Sequence, residues 1–248
     1  MNTNTPYRFH SWLLPVLVLA FFSSTTAARK PDEKPKLVDS GTFSVYVAGQ
    51  RVANETFKIV QSSTVSTASS EFRAETPQGK SAQKAELQIT PTGDLRRYEW
   101  REVSPGKAKI VVEPAEGFLI EHIVPDPPEK PVEHPFIVPV STMVLDDYFF
   151  SQRQVLLWRY LAQACGEGLD KCRPGKMQFG VLVPRQRTQM LISVEYAGPE
   201  KVEIRGVQHE LARFNLKSDD MEWALYLDPK WKLVRIVIPN SNTEVLRD

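Results

Sequence analysis

Apolar and polar residues alternate with a period of two along most of this chain, and this pattern constrains its fold more than any other feature. In the first run, the apolar residues Phe43, Val45 and Val47 are separated by more polar neighbours. Successive side chains of a β-strand point to opposite faces, so the alternation predicts half-buried strands. Further runs of the same kind centre on Phe57, Leu87, Val112, Ile192, Phe214, Leu225 and Ile236.

Short turn sequences separate these runs. The segments 91–94, 104–107, 114–117 and 228–231 each contain proline together with glycine or aspartate, residues that favour tight turns. Short strands at regular spacing indicate antiparallel pairing rather than a parallel α/β sheet. We therefore expect one mostly β domain over residues 41–248, built as a curved antiparallel sheet or unclosed β-barrel.

One segment has the period of a helix instead. Residues 142–165 are predicted to form the main α-helix, packed on the concave side of the sheet. Ser141 or Thr142 is the expected N-cap, and Asp146 and Asp147 would stabilise the first turn through the helix dipole. The residues that share its apolar face are Phe149, Phe150, Leu156, Leu157, Tyr160, Leu161 and Ala164.

A proline-rich connection, residues 125–139, precedes this helix. Proline fixes φ and lacks a backbone N–H, so this density of prolines excludes a helix or a central strand. The segment is expected to run extended over the surface.

The N-terminus has the composition of a cleavable signal peptide over residues 1–28. Arg8 is followed by a short apolar run and then by small residues, which predicts cleavage near Ala27 or Ala28. The apolar run is shorter than the roughly 20 residues that a membrane span needs, so no stable span is expected after cleavage. The mature protein would be periplasmic or secreted, and residues 29–40, charged and proline-bearing, would form a flexible leader.

The charge balance excludes one class of partner. The chain has 31 Lys and Arg residues against 30 Asp and Glu residues, and Arg8 is the one charged residue in the predicted signal peptide. Nucleic-acid binders usually carry a clustered excess of basic residues. We therefore expect no nucleic acid as a partner.

Two cysteines, Cys165 and Cys172, are present in the whole chain. In an oxidising compartment they predict a disulfide, which would close an eight-residue loop and contribute roughly 2.5 kcal/mol. Their spacing is neither that of a C-x-x-C redox pair nor part of a four-ligand zinc set.

Familiar catalytic motifs remain incomplete. Residues 79–81 resemble the end of a phosphate-binding loop, but Ala74 stands where its first glycine is required. His209 begins an H-E-x-x-H pattern that fails at Arg213. We predict no catalytic residue, no metal site and no cofactor.

Aromatic residues are numerous around the predicted helix and on the strands. They would fill the core between helix and sheet, or line a concave apolar cavity that the helix partly covers. The candidates for such a ligand cavity are Tyr98, Trp100, Phe149, Phe150, Trp158 and Trp223.

Two longer segments resemble a group of uncharacterised bacterial exported domains. One is the strand–Gly–strand hairpin of residues 43–57, and the other is the W-x-L-x-D strand with its returning hairpin, residues 223–236. That fold is similar to the unclosed β-barrel of the LolA and LolB lipoprotein carriers, in which a curved antiparallel sheet shelters acyl chains. The resemblance implies an apolar cavity.

Three hypotheses follow for the function. The first is a non-enzymatic exported protein that binds an apolar small molecule, a lipid or another envelope-derived ligand in its β cavity. The second is an envelope scaffold or assembly factor that acts through contacts with another envelope protein. The third is a hydrolase with dispersed catalytic residues, for which His122 and His209 would be candidates.

Overall fold

The computed structural model describes residues 34–76, 79–126, 130–165, 175–219 and 221–248 of the chain. These residues form fifteen β-strands and one α-helix. The predicted signal peptide and its cleavage site lie outside the described residues. Within the described ranges, no helix has both the length and the apolar character needed to cross a bilayer.

The strands fall into two consecutive series with the helix between them. The first series comprises β1 (Lys36–Val47), β2 (Gln50–Gln61), β3 (Ser66–Thr76), β4 (Gly79–Ile89), β5 (Leu95–Ser104), β6 (Lys109–Ala115), β7 (Phe118–Val124) and β8 (Val132–Phe136). The helix and the second series are β9 (Met143–Val144), α1 (Ser151–Ala164), β10 (Lys176–Val183), β11 (Thr188–Ile204), β12 (Val207–Lys217), β13 (Glu222–Leu227), β14 (Leu233–Ile238) and β15 (Thr243–Arg247).

All fifteen strands belong to one sheet, in which each series is a meander of neighbouring strands. The two meanders join through β1 and β15, which pair in antiparallel register from Phe43 opposite Arg247 to Val47 opposite Thr243. The pairing of β9 with β10 is parallel, and every other strand pair is antiparallel.

The sheet curves around the helix without closing into a barrel. Side chains from both meanders and from α1 form one apolar core. Phe43 on β1 stacks on Phe57 of β2 at 5.0 Å between ring centroids, and Phe150 meets Phe43 edge-on at 6.5 Å. The predicted fold class is therefore confirmed: a mostly β, curved antiparallel sheet with one main helix.

The helix is shorter at its start than the sequence predicts. It begins at Ser151 rather than at 142, and neither Ser141 nor Thr142 caps it. The residues before Ser151 do not join the helix, because Met143 and Val144 form a strand that pairs with β10. The carboxylate of Asp146 is bonded to side chains of other elements, so it does not act on the first turn.

Two predicted irregular segments also contain strands. The expected flexible leader, residues 29–40, is wrong from Lys36 onward, because β1 begins there and Asp39 is buried. The proline-rich connection of residues 125–139 contains β8. This strand lies at the outer edge of the sheet, where proline is tolerated because one side of the strand needs no ladder hydrogen bonds.

Candidate functional site

A cavity of about 380 Å³ opens between α1 and strands β2, β3 and β4. Its floor is apolar and buried, formed by Ile59, Ala68, Leu87 and Met143. The turn between β4 and β5 and the C-terminal end of α1 form its mouth. The volume falls within the range of small-molecule sites, and an apolar floor favours an apolar ligand.

The register of three strands explains why space is left here. Ala68 on β3 lies opposite Ile59 on β2 and opposite Leu87 on β4, so the three residues form one row across the sheet. A methyl group at the centre of a row flanked by two branched side chains leaves a hollow. The cavity therefore depends on the small side chain at Ala68.

The helix provides the opposite wall through Val155, Trp158 and Arg159, which lie three and four residues apart on one face. The indole N–H of Trp158 donates to the backbone oxygen of Trp231 at 2.7 Å, which fixes the ring against the cavity. Arg159 donates through Nη1 to the backbone oxygen of Gly93 at 3.0 Å. The wall is thus tied to the turn at the mouth through Gly93 and to the turn between β13 and β14 through Trp231.

Of the six aromatic residues predicted to line a ligand cavity, Trp158 lines this one. Four of the others are buried in the core that surrounds α1, and the half-buried Trp223 lies under the Arg153 guanidinium at 4.9 Å from its ring centroid. These four buried residues are Tyr98, Trp100, Phe149 and Phe150. The structure therefore places most of these candidates in the packed interior.

A buried carboxylate that the sequence analysis missed caps the helix. Glu55 on β2 accepts hydrogen bonds from the backbone N–H of Phe150 at 2.6 Å and of Ser151 at 3.2 Å. The hydroxyls of Ser70 and Ser151 also donate to it, at 2.6 and 2.7 Å. Burial raises the pKa of Glu55, although these hydrogen bonds oppose that effect. One strand residue thus fixes where the helix begins.

A second polar cluster lies beside the helix start. The hydroxyl of Tyr98 donates to Oδ2 of Asp146 at 2.5 Å, and Nε of Arg185 donates to Oδ1 at 2.8 Å. Burial raises the pKa values of both Asp146 and Tyr98. Arg185 also contacts the faces of Trp100 and Tyr148. The cluster joins β5, the segment before α1 and the turn after β10.

Glu121 on β7 is buried, and both of its carboxyl oxygens lack a hydrogen-bond partner among the described residues. Burial raises its pKa to about 7, with Arg187 opposing the effect and Asp146 adding to it. Its neighbour His122 points to the other face, 3.3 Å from Glu133 and 3.6 Å from Glu113. The alternation of the strand separates the two, as the sequence analysis expected.

The positions of the histidine and cysteine residues concern the hydrolase hypothesis, a possible metal site and the predicted disulfide. His122 on β7 and His209 on β12 lie on strands that are not neighbours in the sheet. Across the described ranges, no group of three or more His, Cys, Asp or Glu residues is arranged to hold a metal ion. Cys165 is buried at the end of α1, whereas Cys172 lies outside the described residues, so their disulfide stays a prediction.

The fold and the cavity together define a class, a β-barrel-like protein whose unclosed sheet wraps around one helix. One solved structure of this kind is the β-barrel-like protein of domain of unknown function DUF1849 from Brucella abortus. The two are similar with a TM-score of 0.51 and 9% sequence identity, over 84% of this chain and 94% of that one. At this identity the similarity concerns the fold. No protein-family model and no curated protein matches the chain.

Proposed function

We propose that this protein is an exported, non-enzymatic binding protein that holds an apolar ligand in the cavity between α1 and strands β2 to β4. The observation that carries the proposal is the buried apolar floor around Ala68, open to solvent at one end. Apolar surface that is exposed in such a hollow is stabilised when a ligand removes it from water.

The size of the cavity narrows the class of ligand. A volume of about 380 Å³ is near the lower end for small-molecule sites, so one acyl chain fits better than a bulky lipid. The expectation from the sequence that the fold is similar to that of carriers that shelter acyl chains agrees with the same class, and the signal-peptide pattern of residues 1–28 supports an envelope or secreted location.

Native mass spectrometry of the purified protein tests the proposal, together with quenching of tryptophan fluorescence by a dodecanoate brominated near its chain end. Wild type should carry or take up one ligand, and bound bromine should quench Trp158. Ala68→Phe should fill the cavity and abolish both effects. Ala197→Leu, on an exposed part of β11, is the matched control.

A variant of Trp158 distinguishes ligand binding from fluorescence quenching. Trp158→Phe should bind the ligand by mass but lose most of the quenching. A wild-type protein that shows neither a bound mass nor quenching, or an Ala68→Phe protein that behaves as wild type, would contradict binding in this cavity.

A scaffold role is the second candidate, and the open edge of the sheet favours it. β8 is one of the two edge strands of the sheet, with Val132 half exposed, and Ile137 just after it is 90% exposed. Exposed strand edges with apolar residues are common places for protein association. Ile137→Lys should then remove a partner that wild type retains from an envelope extract, whereas Leu191→Lys on β11 should not.

A further inference from the structure

Arg159 is the one charged residue among the described residues that line the cavity. Every other such residue is apolar, a glycine or an uncharged polar residue. A cation in an apolar wall is costly unless hydrogen bonds or an opposite charge compensate it. The groups around Arg159 therefore indicate whether a ligand has to compensate its charge.

The hydrogen bonds of Arg159 leave part of its guanidinium unsatisfied. Nη1 donates to the backbone oxygens of Gly93 and Ser141, at 3.0 and 2.9 Å, and contacts the sulfur of Met143. Nε is buried and lacks a partner among the described residues. Within the same part of the chain, no carboxylate lies within ion-pair distance of Arg159.

The position of this group is fixed rather than free to swing out. Gly93 has φ of +86°, in the turn between β4 and β5, and Arg159 lies against it. A side chain at Gly93 would approach Nε of Arg159 at 3.4 Å. Glycine therefore lets the turn adopt this backbone conformation beside the guanidinium.

We infer that the ligand of this cavity is an anionic single-chain amphiphile, whose acyl chain lies on the floor around Ala68 and whose carboxylate or other acidic head binds Arg159. The inference rests on the proposed function. An acidic head supplies the missing counter-charge and an acceptor for Nη2, which makes no hydrogen bond to the described residues, whereas Nε is enclosed by the protein. Hydrogen bonds between charged partners are stronger than neutral ones, so the head should add selectivity to an otherwise apolar site.

Three ligands of equal chain length test this: dodecanoate, dodecanol and dodecyltrimethylammonium, each competing with the brominated dodecanoate at pH 8. Wild type should bind dodecanoate at least about tenfold more tightly than dodecanol, and the cation most weakly. Arg159→Gln should weaken the binding of dodecanoate far more than that of dodecanol and so remove the preference, and Arg159→Lys should retain part of it. Circular dichroism and thermal unfolding establish that each variant is folded.

Equal binding of dodecanoate and dodecanol by wild type would overturn the inference but leave the apolar site intact. An unchanged preference in folded Arg159→Gln would overturn it as well. If all three ligands fail to bind wild type, the proposed function itself fails, which is a distinguishable result. Should Arg159→Gln not fold, the order of the three ligands in wild type and in Arg159→Lys still decides the matter.

Discussion

The carboxylate of Glu55 accepts a hydrogen bond at 2.6 Å from the backbone N–H of Phe150, a residue 95 positions later in the chain. Helix N-termini leave backbone N–H groups unpaired, and a local Ser, Thr, Asp or Asn side chain usually satisfies one of them. Here a strand of the surrounding sheet does so. The start of α1 is therefore set by tertiary structure.

Removing this carboxylate should destabilise the protein strongly. In Glu55→Ala, the N–H groups of Phe150 and Ser151 and the nearby hydroxyl of Ser70 lose a buried acceptor. We expect the free energy of unfolding in urea to fall by about 3 kcal/mol. Glu86→Ala, on the exposed side of β4, should change it by less than about 0.5 kcal/mol. Equal losses in the two variants would contradict the capping role.

Asp39 should govern stability in acid. Burial opposes its ionisation, but hydrogen bonds from Arg247, Lys232 and Gln154 outweigh burial and lower its pKa to about 2. The unfolded chain keeps the ordinary value of 3.8. The stabilisation by this carboxylate is thus complete above pH 3.8 and is lost as the pH falls through about 2.

Asp39→Asn tests this dependence. Because Arg247 binds both carboxyl oxygens, at 2.7 and 3.0 Å, the variant should lose about 3 kcal/mol at pH 7. The loss should shrink between pH 4 and pH 2, as followed by urea unfolding at each pH. Asp219→Asn, at an exposed position, is the control. A deficit that is equal at every pH would show that charge is not the cause.

Glu121 should have the opposite pH dependence. Its pKa is raised to about 7 by burial, so between pH 4.5 and 7 the folded state holds a proton that the unfolded chain has lost. Stability from this residue therefore falls as the pH rises through that window. Between pH 5 and pH 8, the free energy of unfolding should therefore fall by about 2–3 kcal/mol less in Glu121→Gln than in wild type. A slope identical to that of wild type would refute it.

The predicted disulfide between Cys165 and Cys172 can be tested by thiol titration. Protein purified from an oxidising compartment and unfolded without reductant should show no free thiol. Replacing both residues by serine should lower the free energy of unfolding by roughly 2.5 kcal/mol, because an eight-residue loop is no longer closed. Two titratable thiols in the wild-type protein would rule the bond out.

The strands were predictable because their signal is local. Alternation around Phe43, Phe57 and Leu87 follows directly from burial on one face of a sheet. The start of the helix was not predictable in this way. Ser141, Thr142 and Asp146 have the composition typical of a helix N-terminus, although the helix begins only at Ser151. The parallel pairing of β9 with β10, which claims Met143 and Val144, depends on residues far along the chain.

The sequence pattern indicates that Glu55 and Glu121 are buried. Glu55 falls in the same alternation as Ala53, Phe57 and Ile59, all buried, so its period places it on the apolar face. Glu121 likewise lies between Leu119 and Ile123 on β7. A charged residue in phase with core residues marks a buried polar contact, but its partner is set by the three-dimensional fold.

The pattern of aromatic residues could not predict where the cavity lies. A hollow arises where side-chain volume is missing, and here it comes from Ala68 in register with Ile59 and Leu87. Large aromatic residues instead fill space, which is why Tyr98, Phe149 and Phe150 belong to the packed core. Trp158 lines the hollow because it lies on the helix face that meets it.

The pairing of β1 with β15 has a consequence for how the chain is made. Ser44 of β1 and Asp248 just after β15 are bonded to each other although 204 positions separate them. During synthesis, one flank of β1 stays unpaired until the residues of β15 have been made. An open strand flank invites association with other chains. Loss of the final strand should therefore show itself first as aggregation.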